Sequence, residues 1–144
     1  MNQVAPDVPI TNTKALTCHA ALPLTRWFEG SVQVAAQRWF GARVVRVESM
    51  GTYACRNVVG NAAYSGRLSE HAHANAVDIG GFTLSDGRHI TVLHGWHGAE
   101  DERDFLHDIH DSACQNFITV LSPDYNAAHA NHLHFDMGGS QYCR

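Results

Sequence analysis

The sequence predicts an α+β domain, with a mainly antiparallel sheet at its core and helices on its flanks. Three observations lead there. Apolar residues recur at helical spacing around 22–40 and again around 99–117. Between and after these stretches lie short runs rich in β-branched and aromatic residues, two of them joined by Asp86-Gly87, a strong hairpin signal. The element order is helix, strand, hairpin, helix, strand, strand, without the regular strand–helix alternation of a parallel sheet.

Residues 1–17 read as an extended N-terminal arm, because Pro6 and Pro9 oppose a helix. Residues 18–144 read as a single domain; the length suits one, and no Pro/Ser-rich linker interrupts it. Leu22-Pro23-Leu24-Thr25 looks like a helix start with proline near the first turn. Leu24, Phe28, Val32, Ala35 and Trp39 form the apolar stripe of this helix, Gly30 weakens it, and Gly41 supplies the stop. Trp27, Phe28 and Trp39 are expected in the core. Arg43 to Ser49 is β-rich and is expected to be a strand. Arg56 follows in Tyr53-Ala54-Cys55-Arg56; its position fits a substrate or oxyanion contact and a surface ion pair equally.

Strands are expected over Ala76–Leu84 and Arg88–Leu93, with Gly80-Gly81 marking a bulge or a close backbone approach. Ala99 to Asp104 opens the second helix with acids in its first turn, as the helix dipole favours. Its buried stripe is Phe105, Leu106, Ile109 and Ala113, extended by Phe117. His107 and His110 lie beside this stripe and read as packing or surface residues. Phe117 to Leu121 is the next strand, and Ser122 to Asn126 the turn into a final histidine-rich one.

Composition narrows the function. The net charge is −4 and no basic run occurs, which argues against nucleic acid as the main partner. No apolar run is long enough to span a bilayer. The four cysteines, Cys18, Cys55, Cys114 and Cys143, form no C-x-x-C pair, and their even number and wide spacing favour two disulfides. Three pairings are open. Disulfides imply an oxidising compartment. The first residues lack the basic start and apolar run of a signal peptide, so a leader trimmed away or another export route is expected.

The chemistry concentrates in Asn126-Ala-Ala-His129-Ala-Asn131-His132-Leu-His134-Phe-Asp136-Met137. Read as a strand, His132, His134 and Asp136 share one face, and Leu133, Phe135 and Met137 the other. The apolar face can pack on a core while the polar face presents two imidazoles and a carboxylate; Asp136 fits an acid that orients an imidazole from behind and a solvent-facing or core-capping acid equally. Further ligands are available in Ser69-Glu70-His71-Ala-His73-Ala-Asn75-Ala-Val-Asp78. Seven positions separate His71 from Asp78, about 23 Å if fully extended, so the chain between them must fold back for both to reach one ion. Two histidines and one aspartate make a catalytic type of zinc site, with a fourth position for water.

These motifs resemble the LAS group of zinc peptidases: lysostaphin-type enzymes, D-Ala-D-Ala peptidases and the hedgehog signalling domain. Ser69-x-His71-(x)6-Asp78 is similar to the first motif of the D-Ala-D-Ala metallopeptidases, and His132-x-His134 to the second. A closer resemblance, over nearly the whole chain, is to the extensin-like C-terminal domain proteins of bacteria. It is carried by Tyr53-Ala-Cys55-Arg56, Gly66-Arg-Leu-Ser-Glu-His71-Ala, Ala76-Val-Asp78-Ile, Gly81-Phe82, Asp86-Gly87-Arg88, Ala113-Cys114, Val120-Leu-Ser-Pro-Asp124 and Tyr142-Cys143-Arg144. The resemblance implies a hedgehog/D-Ala-D-Ala-peptidase-like fold for residues 18–144, with Zn2+ held by His71, Asp78 and His134. It implies a catalytic role for His132, places His129 in a His-x-x-His-x-His arrangement like that of murein endopeptidases, and puts Arg56 where a Tyr-Arg motif contacts substrate. The sequence departs from many D-Ala-D-Ala dipeptidases at Asn131, where they carry a glutamate, so base work would fall to a histidine, or to Glu70 or Asp136.

The expected activity is zinc-dependent hydrolysis of peptidoglycan stem-peptide or cross-link amide bonds, with D,D-endopeptidase or carboxypeptidase specificity. The alternative is a zinc-containing peptidoglycan-binding module without turnover. A His-metal nuclease is disfavoured by the missing basic patch. The partners would be peptidoglycan peptides, with an immunity protein in addition if the chain is an exported toxin. The location would be periplasmic or secreted.

Overall fold

The computed structural model describes residues 2–13, 16–52 and 75–144. The expected α+β architecture is present: eight strands among the described residues form one mostly antiparallel sheet, with helices packed on it. The N-terminal segment is built into the sheet. β1 (Gln3–Ala5) and β2 (Val8–Thr11) form a hairpin, and β2 runs parallel to β3 (Val44–Gly51). Val4, Val8 and Ile10 are buried in the core. Pro6 precedes Asp7, whose φ is +62°. A proline followed by a left-handed residue is a type II turn signal.

The first helix begins before Leu22. α1 spans Cys18–Trp27, and the Thr17 hydroxyl caps it by accepting from the Ala20 N–H. Pro23 therefore lies inside the helix rather than at its start. A π-turn over Phe28–Val32 then leads into α2 (Gln33–Phe40), which stops at Gly41 in the left-handed conformation. The π-turn contains Gly30 and rotates the following residues, because its wider winding adds a residue to the turn. Leu24, Phe28, Val32 and Ala35 are buried as expected, but Trp39 is turned outward and is 37% exposed. Its indole donates to Asp108 Oδ2 at 3.1 Å, and Phe40 faces the core in its place, 5.0 Å from Phe105.

β4 (Ala76–Leu84) is the central strand. One edge pairs with β3; the other pairs with β7 (Leu133–Asp136) over its first half and with β5 (His89–Thr91) over its second. The Asp86-Gly87 hairpin forms, with Gly87 at φ +93°. The strand expected to run on to Leu93 ends at Thr91, whose hydroxyl caps the short helix α3 (Val92–Gly95). Against β3, Glu48 is opposite Gly81 and Ser49 opposite Ile79, so Gly80 is the extra residue of a bulge. The backbones also come close: a Cβ on Gly81 would lie 3.1 Å from the Ile90 carbonyl oxygen.

α4 (Glu100–Ala113) buries Phe105, Leu106, Ile109 and Ala113. The Trp27 indole donates to the Ile109 carbonyl at 2.8 Å, tying α1 to α4. Phe82, Phe105, Phe117, Phe135 and Trp27 then link helices to sheet through edge-on, tilted and stacked ring contacts. β6 (Thr119–Leu121) pairs with β7 and with the last strand, β8 (Tyr142–Cys143). Among the described residues, no helix is long and apolar enough to cross a membrane.

Candidate functional site

β7 has the predicted alternation. Leu133 and Phe135 are fully buried in the core, and His134 and Asp136 emerge on the other face with His132 just before them. The β4–β7 register places Asp78 opposite His134 and Ala76 opposite Asp136. Directly opposed residues on antiparallel strands share a face with Cβ atoms about 5 Å apart. Three side chains consequently converge on His134: Asp78 Oδ1 lies 3.0 Å from its Nδ1, Asp136 Oδ2 lies 2.6 Å from its Nε2, and His132 stands alongside with Nε2 3.7 Å from Asp78 Oδ1.

The electrostatics follow from this crowding. Burial opposes a charge on His134, but the hydrogen bonds it donates to Asp136 and Asp78, together with their negative charge, outweigh it and raise the pKa from 6.5 to about 9. Without a cation, a proton on His134 offsets two nearly buried carboxylates. The site carries the negative charge that a metal ion would neutralise.

The other histidines have ordered partners. His132 Nδ1 donates to Asn131 Oδ1 at 2.8 Å and His129 Nδ1 to Asn126 Oδ1 at 2.7 Å. Each bond fixes a tautomer that leaves Nε2 as the lone-pair nitrogen. The His129 ring centroid lies 4.9 Å from that of His132 and 6.0 Å from that of His134, so all three imidazoles form one cluster. Tyr125 packs edge-on to His129, and Tyr142 to Tyr125.

Of the residues expected at the site, Asp78, His129, His132 and His134 are thus brought together. His71 and Arg56 lie outside the described residues, as do Glu70 and Cys55. The sequence left Asp136 open between orienting an imidazole and a solvent-facing or core-capping role, and the 2.6 Å contact puts it behind the imidazole of His134. Asn131 and Asn126 were not anticipated as imidazole partners; the signal was their offset of one and three residues from His132 and His129.

The chain can also be placed among known proteins. A family model described as "Extensin-like protein C-terminus" matches residues 1–144. The chain belongs to this family. No curated protein matches the extensin-like chain, and no solved structure matches it.

Asp78 and His134 offer two ligand-type atoms close enough to share one cation. Ligands bound tetrahedrally at about 2.0–2.1 Å stand about 3.3 Å apart, and Asp78 Oδ1 and His134 Nδ1 are 3.0 Å apart. With Nδ1 as ligand, Nε2–H stays donated to Asp136, the carboxylate–histidine–metal arrangement that fixes a ligand's orientation.

The extensin-like chain holds a second group of ligand-type side chains. His110, Cys114 and Cys143 bring one such atom each within 4.8 Å of one another. Here Cys114 and Cys143 form a disulfide, so neither sulfur is a thiolate. That is one of the two bridges expected; Cys18 carries a free, exposed thiol. His107 is a packing residue as expected, stacked 3.7 Å from Trp96. A disulfide in this family is compatible with an extracellular or periplasmic protein.

Proposed function

We propose that this extensin-like chain is a zinc-dependent peptidase that cleaves amide bonds in peptidoglycan stem peptides or cross-links, with D,D-endopeptidase or carboxypeptidase specificity and a relationship to the LAS peptidases. The observation that carries the proposal is the Asp78–His134 pair on neighbouring strands, backed by Asp136 and flanked by two further histidines. His134 and Asp78 would hold the ion together with His71. Bound zinc supplies Lewis acidity, lowering the pKa of a coordinated water towards about 7 and polarising a carbonyl.

The remaining residues follow from their own geometry. His132, held by Asn131, presents Nε2 beside Asp78 and would accept a proton at that nitrogen during attack and return it to the leaving amine. His129, held by Asn126, lies one ring away and would stabilise negative charge on the tetrahedral centre or relay the proton. Arg56 would contact the scissile carbonyl or a substrate carboxylate. The substrate class comes from the resemblance of the two histidine motifs to those of peptidoglycan peptidases. We place the work in the periplasm or outside the cell, with an immunity protein as partner if the chain is an exported toxin.

One observation favours a second reading, a zinc-containing peptidoglycan-binding module. Asn131 occupies the position of the missing glutamate, and its amide oxygen is occupied by His132, so the arrangement can be purely structural. Purified sacculi incubated with zinc-loaded protein separate the two, with soluble products identified by mass spectrometry. Release of peptides bearing new amino and carboxyl ends, lost in Asp78→Ala, is expected. Sedimentation with sacculi and no released product establishes the binding module instead.

A further inference from the structure

We propose that reduction of the Cys114–Cys143 disulfide converts the C-terminal end of α4 into a second metal site, in which His110 and the two cysteine thiolates bind a thiophilic cation of the zinc class. His110 is buried, and its Nε2 is shielded from solvent without a hydrogen-bond partner among the described residues. Its other nitrogen, Nδ1, lies 2.9 Å from Asp111 Oδ1. Donation there leaves the lone pair on Nε2, the form that ligates a metal, with a carboxylate behind it. An unpaired buried ring nitrogen costs free energy unless something uses it, and a ring nitrogen of His110 lies within 4.8 Å of both sulfurs.

The elements fit this use. His110 and Cys114 lie four residues apart, on one face of a helix. Cys143 comes from β8, a two-residue exposed strand that can give when the sulfurs separate. The site lies at the C-terminal end of a 14-residue helix, where the negative end of the helix dipole favours a cation. The same end disfavours bare thiolates, so the reduced pair gains from a bound ion. Two sulfurs and one imidazole suit zinc or Cu+ over hard cations.

The chemistry balances with a dithiol as reductant. It delivers two electrons and two protons, the S–S bond breaks, and two thiols form while the dithiol closes to its own disulfide. The entering cation then displaces one proton from each thiol into solvent. Disulfide and metal exclude each other, so the site answers to redox conditions and is separate from the one at His134.

The test uses the full chain carrying His134→Ala, which removes the other site. The protein is reduced with a phosphine and titrated with Co2+, whose thiolate complexes absorb in the near ultraviolet, and then with Zn2+. One Co2+ per reduced chain is expected, with a thiolate band absent from the oxidised protein and displaced by Zn2+. Cys143→Ser should remove the band, and His110→Gln should weaken binding at least about tenfold. Absence of the band after reduction, its persistence in Cys143→Ser, or His110→Gln binding as tightly as its parent would overturn the proposal. Cys143 is exposed, so its variant carries the test even if the His110 variant fails to fold.

Discussion

Asp78 and His134 face each other across the β4–β7 ladder with Oδ1 and Nδ1 3.0 Å apart, while Asp136 holds the opposite nitrogen of the same imidazole. The two carboxylates are therefore not equivalent. Asp78 lies on the side where a metal would sit, and Asp136 lies behind the ring. Asp136→Asn keeps a hydrogen-bond acceptor but loses the charge, and zinc affinity should fall by about 10–100-fold. Asp78→Ala should lose the metal. Competition with a chromophoric chelator measures both, and equal losses in the two variants would contradict the assignment.

Acid–base behaviour of the metal-free protein follows from His134. Its folded pKa, about 9, is raised above the reference 6.5. A raised value means the folded state binds the proton more tightly than the unfolded state, so the contribution to stability is complete below about pH 6.5 and is lost as pH climbs to about 9. Urea midpoints of chelator-treated protein should fall over that window and flatten in His134→Gln. Zinc bound as proposed would displace this proton. Calorimetry near pH 7.5 in buffers of different ionisation enthalpy should detect its release.

How far the sequence speaks depends on which forces are local. The histidine strand was legible because polar and apolar residues alternate cleanly from His132 to Met137, and the Asp-Gly hairpin because few turns accept other residues. The pairing of Asp78 with His134 was reachable only as a resemblance, since register between strands so distant in sequence is set by packing. The outward turn of Trp39 was not legible: the π-turn over Phe28–Val32 is a helical defect that periodicity assumes away. The N-terminal hairpin could have been found from Pro6-Asp7. The link between α4 and β8 could not, because three pairings of four cysteines satisfy the same spacing.

Gly80 and Gly81 predict different tolerances. A Cβ on Gly80 meets the end of the Met50 side chain, 2.9 Å from Cγ and 3.0 Å from Sδ, and Met50 is exposed and can swing away. A Cβ on Gly81 meets the Ile90 backbone oxygen at 3.1 Å and the Glu48 carboxylate at 3.0 Å. Gly81→Ala should destabilise by about 1–3 kcal/mol, the usual range for overpacking, and Gly80→Ala by clearly less. Chemical denaturation of both variants checks the order.

The disulfide joins the end of α4 to β8 across 29 residues. Cys143→Ser should cost about 2–4 kcal/mol and lower Tm accordingly. Under native conditions an alkylating reagent should label Cys18, the exposed free thiol, and leave Cys114 and Cys143 unmodified. Peptide mapping reads both results, and labelled Cys114 in unreduced protein would contradict the bridge.

His132 and His134 sit on one face, so only their partners separate their roles. His134 has carboxylates at both nitrogens, which suits a ligand locked in place. His132 has an amide oxygen at Nδ1 and keeps Nε2 3.7 Å from Asp78 Oδ1, close enough to serve a reacting group beside the metal. His134→Ala should lose zinc and activity together. His132→Ala should retain zinc and fold yet lose about 10²–10⁴-fold in kcat, the range for a positioned acid or base. Asn131→Ala should have a smaller effect in the same direction, because the imidazole survives but its orientation is no longer enforced. His129→Ala should also retain zinc, since Asn126 holds it one ring further out. Loss of zinc in His132→Ala, with full occupancy in His134→Ala, would exchange the two roles.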